Sequence, residues 1–289
     1  MDFSKTKFNP CKLSDIMSEP NGKFTDKHRI ELDRLKEKDE LTQNQEWYLQ
    51  DLEYRLENYN PKSIGTKCQS YLIYLYSYFK YGRSELMTDD TSFALVKGSL
   101  TEVAATSLVS RVTAQDLFRY KIPVKNDYLS GYLDVLDAKD IEKSKRVIEI
   151  KNAASLVNFL RASKCTIPIE WKWQMQGYLA LTGKESGVVY YCLVDMPDHL
   201  IFQQREILKT RLCPDGVETD LFLEEWERKE QTFRYSHIPE EERVMPFYVE
   251  RDEKLIENIY EKIELCREWL AEFEQTHKKR TYGIVLDET

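Results

Sequence analysis

The sequence predicts a mixed α/β protein with a helical N-terminal elaboration, on three observations. Residues 26 to 59 are almost wholly polar and charged yet keep helical spacing. Residues 128 to 152 switch to short β-branched and aromatic runs. Residues 171 to 194 give a strong helical pattern followed by a continuous apolar run. No internal repeat, low-complexity tract or flexible linker interrupts the 289 residues, so one mixed α/β domain is expected, with 1–90 a helical elaboration packed on a core of 91–289.

In chain order, Leu49, Leu52 and Leu56 lie on one helical face, and Thr42-x-x-Gln45 reads as a capping box that starts it. The charge runs between 26 and 59 read as a solvated surface. After Asn60-Pro61, residues 68 to 81 predict a buried helix through Leu72, Leu75 and Phe79. Residues 93 to 112 alternate small and apolar residues at a 3.6 period, which places Glu102 on a largely buried helix where a carboxylate needs a partner. Residues 128 to 138 and 146 to 152 predict two strands joined by the charged turn of residues 139 to 145. A helix over 171 to 181 stops at Thr182-Gly183, with Gly183 as its C′ residue. The run from 188 to 194 fits a buried strand. Helices follow over 218–228 and 252–275 with a short strand at 246–249 between them. The last helix carries Leu255, Ile259, Ile263, Cys266 and Leu270 on one face.

Composition narrows the function classes. Hydrophobic residues make up 42% of the chain, enough for a core, while the net charge of −8 argues against a nonspecific polycationic binder of nucleic acid. No run approaches the roughly 18 apolar residues of a spanning helix, and the N-terminus lacks the apolar stretch of a secretory signal, so a cytoplasmic location is expected. The six cysteines, at 11, 68, 165, 192, 213 and 266, form no CxxC pair. They read as reduced, mostly buried thiols rather than zinc or iron–sulfur ligands.

The chemistry concentrates in the hairpin. Paired residue numbers in an antiparallel hairpin sum to a constant, and a turn centred between Ile141 and Glu142 sets Asp134 opposite Glu149. Alternation then puts Glu149 and Lys151 on that shared face, with Ile148 and Ile150 toward the core. Two carboxylates and the Ile150 carbonyl make a hard oxygen site suited to Mg²⁺ or Mn²⁺. Such a cation polarises a phosphate and acidifies a bound water, and Lys151 beside it stabilises developing charge. Taken alone, a Glu-x-Lys pair on a strand reads as a solvated edge with a weak ion pair. Gly131, Glu102 and Gln174-x-Gln176 around it favour the catalytic reading. Asp127, Asp137, Asp140 and Glu142 read as turn or surface acids.

Ordered along the chain, Lys97-Gly98-Ser-Leu-Thr-Glu102, Gly131-x-x-Asp134, Glu149-Ile-Lys151, Trp173-Gln174-Met-Gln176-Gly-Tyr178 and Val249-Glu250-Arg251-Asp252-Glu253-Lys254 form a pattern. It resembles the lambda-exonuclease and YqaJ-type viral recombination nucleases of the PD-(D/E)xK class, over most of the chain from Leu95 to Ala271. Residues 13 to 20 look like that family's N-terminal helix. The resemblance implies a restriction-endonuclease-like core, a central mixed sheet flanked by helices, and a 5′-to-3′ exonuclease acting on linear double-stranded DNA. By resemblance, Asp134, Glu149 and Ile150 hold the metal, and Glu102 supports a second metal or its water shell. Lys151 positions the nucleophile, and Gln176, with Gln174 second, lies beside the site. Lys23, Gln174 and Tyr178 are then candidate substrate contacts, Lys23 standing in for an arginine that relatives carry near the same proline. A single-strand-annealing recombinase as partner, a homo-oligomer such as a ring-shaped trimer, and a phage or prophage origin in a bacterial cytoplasm are implied in the same way.

Two other readings stay open. A structure-specific or nicking endonuclease uses the same core, and a non-catalytic DNA-binding or partner-binding module keeps the fold alone. Lys121, Lys125, Lys139, Lys143, Lys145 and Arg146 cluster around the hairpin, and Arg161, Lys164 and Lys172 flank the next helix, as a candidate basic track. His277-Lys278-Lys279-Arg280 reads as a frayed tail, and Trp171, Trp173 and the tyrosines as core.

Overall fold

A computed structural model describes residues 1–20, 24–60, 63–82, 93–164 and 166–286. The chain divides into two compact units, one of Met1–Phe8, Lys12–Glu85 and Glu257–Thr289, the other of Asn9–Cys11 and Leu86–Ile256. This differs from a division at residue 90: most of the last helix groups with the N-terminal helices, and three residues near the N-terminus group with the sheet.

The first unit is helical. A single 3₁₀ turn, Pro10–Lys12, leads into α1 (Leu13–Ile16), which is one turn long where a helix to residue 20 is expected. Next come α2 (Asp26–Lys36) and α3 (Gln43–Asn58), which bury Leu32, Leu35 and Leu52 against each other. The capping box is present, with the Thr42 N–H donating to Gln45 Oε1 at 3.1 Å. Leu56 stays 43% exposed, because the buried stripe of α3 is centred on Leu52. In α4 (Thr66–Tyr81) the buried face is Cys68, Tyr71, Leu72 and Tyr76 rather than Leu72, Leu75 and Phe79. The tyrosine rings fill that face as well as leucine does, and Phe79 turns outward. The last helix presents Ile259, Ile263, Cys266 and Leu270 as its buried stripe, as the spacing predicts, while at its start Ile256 is buried in place of Leu255. Its far end is no frayed tail at His277, whose ring stacks on Phe273 and whose Nε2 lies 3.1 Å from the Tyr81 hydroxyl.

The second unit runs α5 (Phe93–Thr113), β1 (Phe118–Arg119), β2 (Val124–Lys125), β3 (Ser130–Gly131), β4 (Val135–Leu136), β5 (Val147–Asn152), α6 (Leu156–Ala162), α7 (Ile169–Thr182), β6 (Ser186–Cys192), α8 (Asp198–Leu212), α9 (Asp220–Gln231), β7 (Val244–Glu250) and the start of α10 (Glu253–Leu286). Five strands form a mixed sheet in the order β1-β4-β5-β6-β7, with β5 and β6 parallel and the other pairs antiparallel; β2 and β3 form a separate two-stranded ribbon. The single expected strand over 128–138 is therefore two short ones belonging to different sheets. Gly183 ends α7 in the left-handed conformation, φ 68°, the expected glycine role.

Helices cover both faces of the sheet, so β5 is buried along most of its length and reads as a parallel-sheet strand. Toward α5, Ile148, Ile150, Val188 and Tyr190 pack on Ala105, Leu108 and Val109. Toward α7, Val147, Val189, Tyr191, Phe247 and Val249 pack with Met175, Tyr178 and Leu179. Trp171 joins this second cluster, against the rings of Tyr191 and Phe247. Among the described residues no helix is long and apolar enough to cross a membrane.

Candidate active site

The hairpin register is the one the numbering predicts. Val135 pairs with Ile148, the same sum as Asp134 with Glu149. Pairing goes no further than that, and β4 and β5 part immediately afterward. Asp134 sits one residue outside β4, in the fork between the two strands. On the β4 side of that fork the Ile150 N–H has no strand partner, and Asp134 Oδ2 accepts it at 3.1 Å. A strand residue's N–H and C=O point to the same edge, so the Ile150 carbonyl faces the fork as well.

Glu149 is 3% exposed, and its two carboxylate oxygens differ sharply. Oε1 accepts from Lys151 Nζ at 2.7 Å and from Gln174 Nε2 at 2.7 Å. Oε2 is buried with no hydrogen-bond partner among the described residues. An orphaned buried carboxylate oxygen is costly. Burial first and the negative charge of Glu149 second push Asp134 up to about 7, against the pull of the Ile150 N–H and of Lys151, while Glu102 adds a smaller upward push. For Lys151, burial opposes the charge, but Glu149 and Asp134 outweigh it and hold its pKa above the ordinary lysine value. A buried carboxylate and a half-buried one against one ammonium leave the fork short of positive charge. Oxygen donors, an unpartnered oxygen and excess negative charge together fit a hard divalent cation. Among the described residues no three His, Cys, Asp or Glu side chains converge as a metal-ligating group, so the cation would rest on Asp134, Glu149 Oε2 and the Ile150 carbonyl.

Glu102 is on α5 as expected, but on its half-exposed side. Val96, Leu100 and Val103 of the same helix are at least 38% exposed, and the face of α5 that the sheet buries is Ala105, Leu108 and Val109. Its partner is Arg119, at 2.6 Å, a residue the sequence does not single out. Glu102, Arg119, Tyr120, Lys121, Tyr132, Leu133 and Asp134 line one cleft of about 270 Å³. Glu102 thus shares the rim of the site while already being neutralised by an arginine. A roomier cleft of about 810 Å³ lies between the start of α6 and the end of α9 and holds none of these groups. Chemistry, rather than size, picks the site.

Two expectations need correction. Gln176 does not reach Lys151: its Nε2 donates to the Glu250 carbonyl at 2.7 Å and its Oε1 accepts from the Asp252 N–H at 3.0 Å. It ties α7 to the turn between β7 and α10, and Gln174 is the glutamine at the site. Tyr178 is 2% exposed, with its hydroxyl 3.4 Å from Cys11 Sγ, so it packs the site from behind rather than meeting substrate. The described cysteines are mostly buried, as expected: Cys68, Cys192, Cys213 and Cys266 are buried and Cys11 is exposed. Lys23 lies outside the described residues. The basic track divides: Lys121 lines the acidic cleft, whereas Lys143, Lys145 and Arg146 line a separate depression with Asp116 and Asp137. Gly131 does serve close approach, since a Cβ there would lie 2.8 Å from Pro10 Cδ and 3.2 Å from the Tyr178 ring.

Comparison of the sequence with protein-family models and with curated proteins gives no match. Comparison of the structure does. A phage-related exonuclease from Haemophilus somnus 129PT superposes with a TM-score of 0.60 at 14% identity, over 94% of this chain and 97% of that one. The chain shares the fold of that exonuclease. The alkaline exonuclease from Laribacter hongkongensis agrees, with a TM-score of 0.56 at 13% identity over 97% and 96% of the two chains. Its complex with dAMP gives 0.54 at 14% identity, over 96% and 94%. The central mixed sheet between helices is therefore an architecture shared with these exonucleases, extending over nearly the whole length of each chain.

Proposed function

We propose that this protein is a divalent-cation-dependent DNA exonuclease acting on linear duplex. The observation that carries the reading is the fork of β4 and β5, where Glu149 Oε2 is buried without a partner beside Asp134 and one residue pair from Lys151. The fold supports it, because structures of the same architecture are exonucleases and one of them binds the DNA nucleotide dAMP. A Mg²⁺ or Mn²⁺ ion held by Asp134, Glu149 and the Ile150 carbonyl would polarise the scissile phosphate and lower the pKa of a bound water.

The chain's own residues do the rest. Lys151, kept protonated by the two carboxylates, places a positive charge where negative charge gathers on the phosphate oxygens. Gln174 fixes Glu149, while the burial of the fork keeps water from screening these charges. Arg119 and Lys121, on the rim, meet the phosphates that flank the cleaved bond. Digestion from the 5′ end, leaving a 3′ strand for a single-strand-annealing recombinase, and assembly into a ring-shaped trimer complete the proposal.

Linear duplex labelled at either end, with and without a 5′ phosphate, tests it alongside covalently closed circular DNA. Metal-dependent release of the 5′ label from linear duplex alone is expected. Cleavage of the closed circle points instead to an endonuclease. Undiminished digestion by both Glu149→Ala and Lys151→Ala rejects the site, and release of the 3′ label first rejects the polarity.

A further inference from the structure

Gln174 has two amide hydrogens, and both are engaged. One meets Glu149 Oε1 at 2.7 Å; the Cys11 sulfur accepts at 3.3 Å from the same nitrogen. The sulfur also lies 3.4 Å from the Tyr178 hydroxyl, so it bridges two residues one turn apart on α7. Its placement is built in. The Cys11 N–H donates to Asn9 Oδ1 at 2.9 Å, which closes a tight turn, and Pro10 within that turn sits against Gly131. Residues Asn9–Cys11 belong to the sheet unit although the segments on either side of them do not. Cys11 as a residue is exposed, but desolvation of its thiol against α7 outweighs the Tyr178 contact and holds it above its ordinary pKa, so this sulfur is a protonated hydrogen-bonding group rather than a nucleophile.

A second, independent observation says what this arrangement serves. Lys151 and Gln174 both bind Oε1 of Glu149, and Oε2 is left buried and unpartnered. Were the amide of Gln174 turned over, its oxygen would oppose a carboxylate and Oε1 would lose a donor. An amide's orientation is decided by its partners, and among the described residues Cys11 is one of the two acceptors of this nitrogen. We propose that Cys11 is a positioning residue for the metal site: it holds the Gln174 nitrogen toward Glu149 and thereby reserves Oε2 for the cation. The inference rests on the metal reading of the fork given above.

Three substitutions separate positioning from packing. Cys11→Ser keeps an acceptor, Cys11→Ala removes it, and Cys11→Val fills the space without one. The side-chain amide resonances of Gln174, assigned by their loss in Gln174→Met, report its orientation with no metal present. Calorimetric titration with Mn²⁺ reports the consequence. The alanine and valine variants are expected to move the amide pair toward the free-glutamine position and to weaken Mn²⁺ binding roughly tenfold, the low end for a group behind a metal ligand. The serine variant is expected to retain both signals. Wild-type amide shifts and Mn²⁺ affinity in the valine variant overturn the proposal, because packing alone then suffices. Should the wild-type protein take up no Mn²⁺, the metal reading fails, while the amide resonances still decide whether Cys11 orients Gln174.

Discussion

Two lysines at the same end of β5 show how differently one side chain is used. Lys97, on α5, is 1% exposed; its Nζ donates to the Ala153 carbonyl at 3.0 Å and lies 5.4 Å from the centre of the Tyr235 ring. Burial lowers its pKa to about 8, against a small upward pull from Asp195. Lys151 is also enclosed, yet its pKa is raised, because Glu149 lies at 2.7 Å and Asp134 is near. Desolvation acts on both. Only Lys151 has carboxylates close enough to overcome it. A lysine that caps a carbonyl over an aromatic ring serves the fold, and a lysine held charged by a pair of acids is equipped to face a phosphate.

The contrast is broken most severely at Lys151. Lys151→Met is expected to cut the nuclease rate roughly 10²–10³-fold, the usual loss for a group stabilising transition-state charge, whereas Lys97→Met leaves the rate per folded molecule within a small factor of wild type. Initial rates on linear duplex decide this, and equal losses in the two variants dissolve the comparison. Lys151→Arg is not expected to restore the rate, since a planar fork does not replace a compact ammonium. Next comes Gln176, whose removal strands the Glu250 carbonyl and the Asp252 N–H. Gln176→Ala is expected to cost about 2 kcal/mol of stability in urea, with little effect on turnover.

The pH dependence of stability sharpens the comparison further. The folded pKa of Lys97 lies below its unfolded value, so the folded state gives up its proton first and stability rises as pH climbs from about 8 toward 10.5. Asp134 acts at the other end of the scale, its folded pKa being raised. The benefit of holding its proton is complete below 3.8 and is lost as pH rises through about 7. Urea midpoints between pH 4 and 10, compared with those of Lys97→Met and Asp134→Asn, should show each variant flattening its own limb alone. The smallest effect belongs to Arg119→Ala, whose ion pair with Glu102 joins side chains 48% and 31% exposed. Its stability cost should stay below about 1 kcal/mol.

Much of the site is legible in sequence because two rules act locally. Strand alternation and a symmetric turn are enough to pair Val135 with Ile148, and so to bring Asp134, Glu149 and Lys151 together. The choice between Gln174 and Gln176 is beyond those rules. All of Gln174 to Leu179 on α7 is buried, so hydrophobic periodicity has no polar face from which to tell which glutamine meets the strand. Cys11 carries no local signal either, since its partners are on a helix more than a hundred residues away. The helix α8 is hidden for another reason: Phe202 and Ile207 point outward, 62% and 61% exposed, and blur its apolar stripe. The strand break at Asp134 follows from tertiary contact with Ile150, which no propensity encodes.

The fork between β4 and β5 also bears on the order in which the molecule assembles. Its two strands are joined by residues 137–146 alone, and hairpins close within about 1–10 μs. The parallel pairing of Ile148 with Val188 must wait for the whole α6–α7 crossover to be traversed, which is slower. Asp134 and Glu149 are therefore expected to meet while water still surrounds them, before Gln174 arrives and before α7 seals the space. The proton affinity of Asp134 then climbs only in the last stage of folding, and a carboxylate signal followed during refolding would time the closing of the site.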